Sequence, residues 1–245
     1  MRNISLPQNV ESRMKNRNLH FLKRVYSGDL SRYYRRLRAL GFENFGRVLD
    51  AGAGFGQWSI ILSDLNEEVY GIDIDAERIS TAQAIAEFNK IGNLRLSVSA
   101  LENLSFPNNF FDAIFCYSVI YHTNEKIVLK KFYEILKRGG LLYISFNCIG
   151  WYLYLLVGRG LIKQEKVSFK KACYAILGTM IGRKKGSHAL AKKKVARMLE
   201  DRGFSIVDMK GDGKINVKSD DMFAFYNEKY FGLDGVIEIL AKKIR

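Results

Sequence analysis

Between Arg47 and Phe146, short apolar segments alternate with helical patterns, and no other feature of the chain constrains its fold as tightly. Arg47 to Asp50 reads as a strand running into a glycine loop, and residues 57–65 read as a helix. Glu68 to Ile74 is a second strand and residues 76–89 a second helix. Leu94 to Val98 is a third strand and Asp112 to Tyr117 a fourth. Residues 125–137 are helical, and Leu141 to Phe146 is a fifth strand. Strands joined through helices need crossover connections, and such connections build a parallel sheet covered by helices on both faces.

The flanks read differently. Residues 29–40 have helical spacing that puts Tyr33, Leu37 and Leu40 on one face, with Arg32, Arg35 and Arg36 off it. After residue 147 the alternation breaks. Two apolar pieces, Trp151 to Val157 and Ala172 to Ile181, enclose a basic stretch. Residues 148–187 therefore read as an insertion between the fifth strand and the next helix. That helix covers residues 188–202 and stops at Gly203, and Phe204 to Met209 is a strand. The closing VIEILAKKI reads as a helix. The chain is thus expected to be one domain: a basic cap over 1–40, a core over 41–147, the insertion, and the rest of the sheet over 188–245.

Composition removes several classes. Among 245 residues only Cys116, Cys148 and Cys173 are cysteines, and no two are spaced as a CxxC pair, so a disulfide scaffold and a four-ligand zinc site are excluded. The uncharged run Gly139 to Gly158 is long enough to span a membrane, but its glycines, Ser145 and Asn147, and the strand in its first half, argue against that. The first 40 residues contain no apolar h-region. The expected location is the cytoplasm, or the periphery of the cytoplasmic membrane face.

The glycine loop is Asp50-Ala51-Gly52-Ala53-Gly54-Phe55-Gly56, placed after a strand and before a helix. Glycines let the chain turn sharply and let a ligand approach the backbone, and the helix start behind them offers free N–H groups. A dinucleotide fingerprint would need Gly where Gln57 stands. Asp73 ends the second strand, where a carboxylate can accept both hydroxyls of a ribose or cap the next helix. Asp50 can face the ligand or hold the loop by accepting backbone N–H groups.

VLDAGAGFG, VYGIDID, FPNNFFDAIFCYSVIYHT and ILKRGGLLYISF, in that order, resemble the class I S-adenosylmethionine (SAM) dependent methyltransferases, in the broad group that includes ubiquinone and menaquinone biosynthesis methyltransferases. The resemblance covers roughly residues 40–147. It implies a Rossmann-like α/β fold with a mostly parallel seven-stranded sheet. It also implies that Asp50, Gly52, Gly54 and Gly56 wrap the methionine part of SAM. Asp73 would bind the ribose, Ile74 would pack on the adenine, and Ala100 and Leu101 would line the adenine pocket. Many relatives have Asp where Ala100 stands, which removes a usual contact to the adenine amino group. Cys116, Tyr117 and Ser118 would pass beside the methionine end. Lys137-Arg138-Gly139-Gly140 matches a Lys-Pro-Gly-Gly turn with Arg in place of Pro.

Methyl transfer is an in-line displacement in which the cofactor carries the hard chemistry and the protein supplies geometry and sometimes a base. An alcohol acceptor must lose a proton. His122 is the only histidine in the core motifs and is the candidate base, with Tyr121 beside it to orient the acceptor; the alternative is that His122 caps or packs a local helix. His20 and His188 have no visible partners. Tyr117 to Ile120 supplies no Asp or Asn cluster, so no metal is expected. Tyr33 and Tyr34 lie on the cap helix, as lid or as packing. Gln57 and Trp58 follow the loop, and Trp58 reads as core.

Net charge is +14 and unevenly placed: +8 over residues 1–40, −4 over 41–149 and +10 over 150–194. The two basic segments occupy the cap and the insertion, where this fold family places substrate choice. They suit an acidic acceptor or an anionic membrane surface. Three functions compete. The first is O-methylation of a small, lipid-linked or glycan acceptor. The second is RNA methylation, although no RNA-binding module or target-base motif is visible, so nucleic acid ranks lower. The third is a SAM-fold protein that binds a partner without catalysis. Oligomeric state is left open.

Overall fold

The computed structural model describes residues 4–8, 10, 14, 16–26, 28–183, 186–217 and 224–244. Two helices, α1 (Asn16–Tyr26) and α2 (Ser31–Ala39), precede the alternating core. The core runs β1 (Arg47–Ala51), α3 (Gln57–Leu65), β2 (Glu68–Asp73), α4 (Ala76–Phe88), β3 (Leu94–Val98), β4 (Phe111–Cys116), α5 (Glu125–Ile135) and β5 (Leu136–Asn147). The insertion is helical: α6 (Ile149–Leu153) passes into a π-helical stretch, Tyr154–Ile162, followed by α7 (Lys166–Met180). The chain closes with α8 (Lys192–Glu200), β6 (Phe204–Gly211), a small hairpin of β7 (Lys229–Tyr230) and β8 (Leu233–Asp234), and β9 (Val236–Lys243).

Seven strands form one sheet in the order β3-β2-β1-β4-β5-β9-β6. The first five pair in parallel, and β9 lies antiparallel between β5 and β6. The order reverses between β1 and β4, and ligands of open α/β sheets bind outside the strand ends at such a switch point. One face buries Ile114, Phe132, Leu129 and Leu199 beneath α5 and α8. The other buries Val48, Phe115, Trp58 and Leu37 beneath α2 and α3, and α1 and α4 add Leu22, Phe55 and Ile85.

The structure changes three sequence expectations. VIEILAKKI contributes a strand, β9, rather than a helix. Val236 to Ala241 are all buried because helices cover both sheet faces, so no two-residue alternation marks the strand. Arg36, expected off the apolar face of its helix, is buried, for reasons given in the Discussion. The Lys137–Gly140 segment lies inside β5: pairing with β4 starts at Leu136 and shifts register before Leu141, with Gly139 at φ 77°.

Candidate cofactor and acceptor site

The site is built where β1, β2 and β4 end. Gly52, Gly54 and Gly56 have φ of 93°, 57° and 78°, so the loop turns through conformations that residues with a Cβ avoid. Gly52 and Ala53 N–H donate to Ile72 O at 2.7 and 2.9 Å, tying the loop to β2. A Cβ on Gly52 would collide with the Val119 side chain, and one on Gly56 would lie 3.0 Å from Ala82 Cβ, where α3 packs on α4. Only the Gly54 position opens onto looser surroundings, with Phe21 at 3.7 Å and Gln57 Oε1 at 3.9 Å.

Asp73 holds the loop from β2: its Oδ2 accepts Gly54 N–H at 2.9 Å and its Oδ1 accepts Asp75 N–H at 2.9 Å. The helix cap is Asp75, which accepts from Glu77 and Arg78 N–H, so Asp73 is not needed for that role. Each Asp73 oxygen keeps acceptor capacity for a hydroxyl. After it in sequence Ile74 is 74% exposed, an apolar side chain left on the surface, and Ser99 N–H donates to Asp73 O at 3.0 Å, which brings the segment of Ala100 and the buried Leu101 to this strand end. Asp50 is buried and accepts the Ser59 hydroxyl at 2.6 Å, fastening the loop to α3. Burial pushes its carboxyl up to about 7, the Ser59 bond opposes the rise, and Asp73 adds to it.

In the sequence Gln57 is the residue that breaks a dinucleotide fingerprint and follows the loop, with no ligand role expected of it. Its Oε1 is buried and has no hydrogen-bond partner. Burying an amide oxygen without a donor is unfavourable, so an acceptor left waiting beside the Gly54 turn fits a ligand cation or N–H. Tyr26 was not singled out at all. Its hydroxyl donates to Phe55 O at 2.8 Å and lays α1 across the loop, where Phe21 meets Phe55 at a 5.4 Å centroid distance.

The remaining residues line the β4 end. Cys116 is fully buried, and burial pushes its thiol up, so it is no nucleophile. Tyr117 turns toward the α2 side, with its ring 5.2 Å from Trp58 and its hydroxyl donating to Asp212 at 3.2 Å. Tyr121 lies 3.2 Å from Ser118 Oγ, and burial pushes its hydroxyl up to about 12. His122 is exposed, has its ring tilted at 45° to that of Tyr121 with centroids 4.3 Å apart, and has Nδ1 2.9 Å from Ser187 Oγ. His188, which the sequence left without partners, is buried with Nε2 3.5 Å from Glu125 Oε2. Tyr33 and Tyr34 are both buried, Tyr33 edge-on to Trp58 at 4.5 Å. No cluster of three or more metal-ligating side chains occurs among the described residues.

Residues 48–140 match the family model described as a methyltransferase domain. These residues belong to the class I SAM-dependent methyltransferases. The chain is also similar to an uncharacterised methyltransferase of Bacillus subtilis, YcgJ, 30% identical over 95 residues, 38% of this chain and 38% of that protein. The mitochondrial ubiquinone biosynthesis O-methyltransferase of Rattus norvegicus is 28% identical over 173 residues, 67% of this chain and 46% of that protein. The chain thus spans less than half the length of either curated relative. A solved geranyl diphosphate methyltransferase in complex with SAM superposes with a TM-score of 0.64, covering 99% of this chain and 97% of that one. At 13% identity that likeness shows the fold alone.

Proposed function

We propose that this protein binds SAM in the loop from Asp50 to Gly56 and transfers its methyl group to an oxygen of a small acidic, lipid-linked or glycan acceptor. The observation that carries the reading is the unpartnered Gln57 Oε1, buried beside three left-handed glycines and the Asp73 carboxylate. When bound, SAM supplies an electrophilic methyl group on a sulfonium. The chain does the rest. Asp73 accepts the ribose hydroxyls, and Ile74, Ala100 and Leu101 border the adenine. Gln57 Oε1 and Asp50 face the cationic end. Tyr121, neutral at physiological pH, donates a hydrogen bond that orients the acceptor. His122 takes the acceptor's proton, its ring held by Ser187. Tyr26 and α1 keep water from the loop.

Calorimetric titration with SAM and S-adenosylhomocysteine, with NAD as control, tests the cofactor assignment. Asp73→Ala is expected to weaken both sulfur ligands by about a hundredfold, since two charge-assisted hydrogen bonds are lost, and to lower the melting temperature as well, since Gly54 and Asp75 N–H lose their acceptor. Unchanged affinity would remove Asp73 from the ribose site.

RNA remains the second reading because of one feature. Lys126, Lys193, Lys194, Arg197 and Arg202 line a shallow groove between α5 and α8. Labelled methyl incorporated into one defined nucleotide would promote it; salt-sensitive binding without incorporation would not. Silence toward both sulfur ligands would favour a non-catalytic binding protein.

A further inference from the structure

Helix α7 is packed inside out. Its buried positions are small: Ser168, Ala172, Ala175 and Gly178. Its large apolar side chains, Val167, Tyr174, Leu177 and Met180, point to solvent, and Leu177 and Met180 are 53% and 79% exposed. Beside them Leu161 and Ile162 end the π-helical stretch in the open, and Ile181 does the same beyond α7. The inward contact is made by backbone instead: a Cβ on Gly160 would lie 3.0 Å from Phe169 Cα. The fold therefore leaves a contiguous apolar helix face unused, and such faces mark interaction surfaces.

Charge identifies the partner. Residues 150–194 carry eleven basic side chains and one acidic. That acid, Glu165, is already engaged by Arg159 at 2.8 Å. Lys163, Lys166 and Lys170 are exposed among the apolar side chains. A second copy of this chain would set one strongly positive segment against another. A helix with outward apolar residues between lysines suits the interface of an anionic bilayer.

The same segment leads into the site. Beyond α7, residues 186–190 form an arm along the turn that carries the acceptor-side residues. Gly186 N–H donates to His122 O at 3.0 Å and His188 N–H to Tyr121 O at 3.2 Å. We propose that the outward face of α7, with Leu161 and Ile162, docks on an anionic lipid bilayer and presents the Tyr121–His122 side of the site to an acceptor held there. The acceptor half of this proposal rests on the methyltransferase reading; the docking half does not.

Flotation of the full chain with phosphatidylcholine vesicles, with and without about 30% phosphatidylserine, tests it. Binding is expected to rise about tenfold with phosphatidylserine, and to weaken but persist in high salt because apolar side chains also enter the interface. Leu177→Ser/Met180→Ser and Lys163→Glu/Lys166→Glu/Lys170→Glu should each lower it about tenfold at an unchanged melting temperature, since these side chains are exposed. Undiminished binding by the serine variant would overturn the docking face. So would failure of the full chain to bind anionic vesicles at low salt. So would loss, in the serine variant, of a self-association that the full chain shows without lipid. Polyuridylate binding abolished by the same serines would assign the face to RNA. SAM calorimetry on the same samples separates the two readings. Vesicle binding without SAM binding sinks the methyltransferase reading alone, and the reverse sinks the docking proposal alone.

Discussion

At the scale of single residues, Gln57 and Asp50 are held in the folded protein at some expense. Gln57 Oε1 is buried without a donor, so Gln57→Met should leave the melting temperature equal or higher in the ligand-free protein. The same change should weaken SAM about tenfold, and a melt beside a titration separates the effects. Asp50 titrates in the folded protein at about 7, above its ordinary 3.8. A raised folded value means the protonated form favours folding. That contribution is complete below about pH 4 and is lost as pH rises to about 7, at about 1.4 kcal/mol per pH unit. Asp50→Asn should flatten the decline, read as melting temperature between those limits. The places of Asp50 and Asp73 at strand ends beside the glycines were legible because strand spacing is a local signal; that Asp73 accepts Gly54 N–H and Asp50 the Ser59 hydroxyl was not. The orphaned oxygen of Gln57 was not, because a sequence does not say which side chains lack partners.

At the scale of elements, the arm of residues 186–190 is held by Glu125 at the start of α5. Its carboxylate meets His188 at 3.5 Å and Lys194 of α8 at 3.3 Å. Against the burial that would raise it, the neighbouring His188, a backbone N–H and Lys194 hold Glu125 at about 2. The nearby Glu125 carboxylate raises His188 above its ordinary 6.5. The Glu125 contribution is present above about pH 4.5 and lost as pH falls toward 2. The His188 contribution is complete below about pH 6.5 and lost as pH rises through the raised value. The clasp is therefore firmest between the two. Glu125→Gln should speed exchange of the Gly186 and His188 amides about tenfold at pH 6, with less effect on α4. Neither partner was legible, because residues 125 and 188 meet only through the path of the insertion. The core elements were: β3 and α4 follow local spacing closely. β9 was not, because a strand covered on both faces and a buried helix share the same apolar run.

At the scale of the molecule, one arginine joins the two ends of the chain. Arg36 of α2 donates to Tyr143 of β5 at 2.8 Å, to Asp212 after β6 at 2.7 Å and to Glu238 of β9 at 2.5 Å. Asp212 also accepts Phe225 and Tyr226 N–H, and Glu238 accepts Lys214 and Ile215 N–H. The cluster thereby fastens the loops after β6 over the sheet. Arg36→Met would strand two buried carboxylates, with an expected loss of about 3–5 kcal/mol in denaturant titration. Arg36→Lys should recover only part, since all three bonds leave from the far nitrogen Nη2, which a shorter lysine reaches less well, and the planar group over the Tyr117 and Tyr143 rings is lost. No helix among the described residues is long and apolar enough to cross a membrane.

The sequence by itself determined the parallel core, the glycine loop and the carboxylate at the end of β2, because each depends on neighbours within a few residues. Hydrophobic spacing and strand-end chemistry are local signals. The tertiary structure alone decided that Arg36 is interior, that the last segment is a strand, that His188 meets Glu125, and that α7 turns its large side chains outward. Each depends on what lies opposite a side chain once distant segments have packed, and helical spacing names a face without naming what it faces.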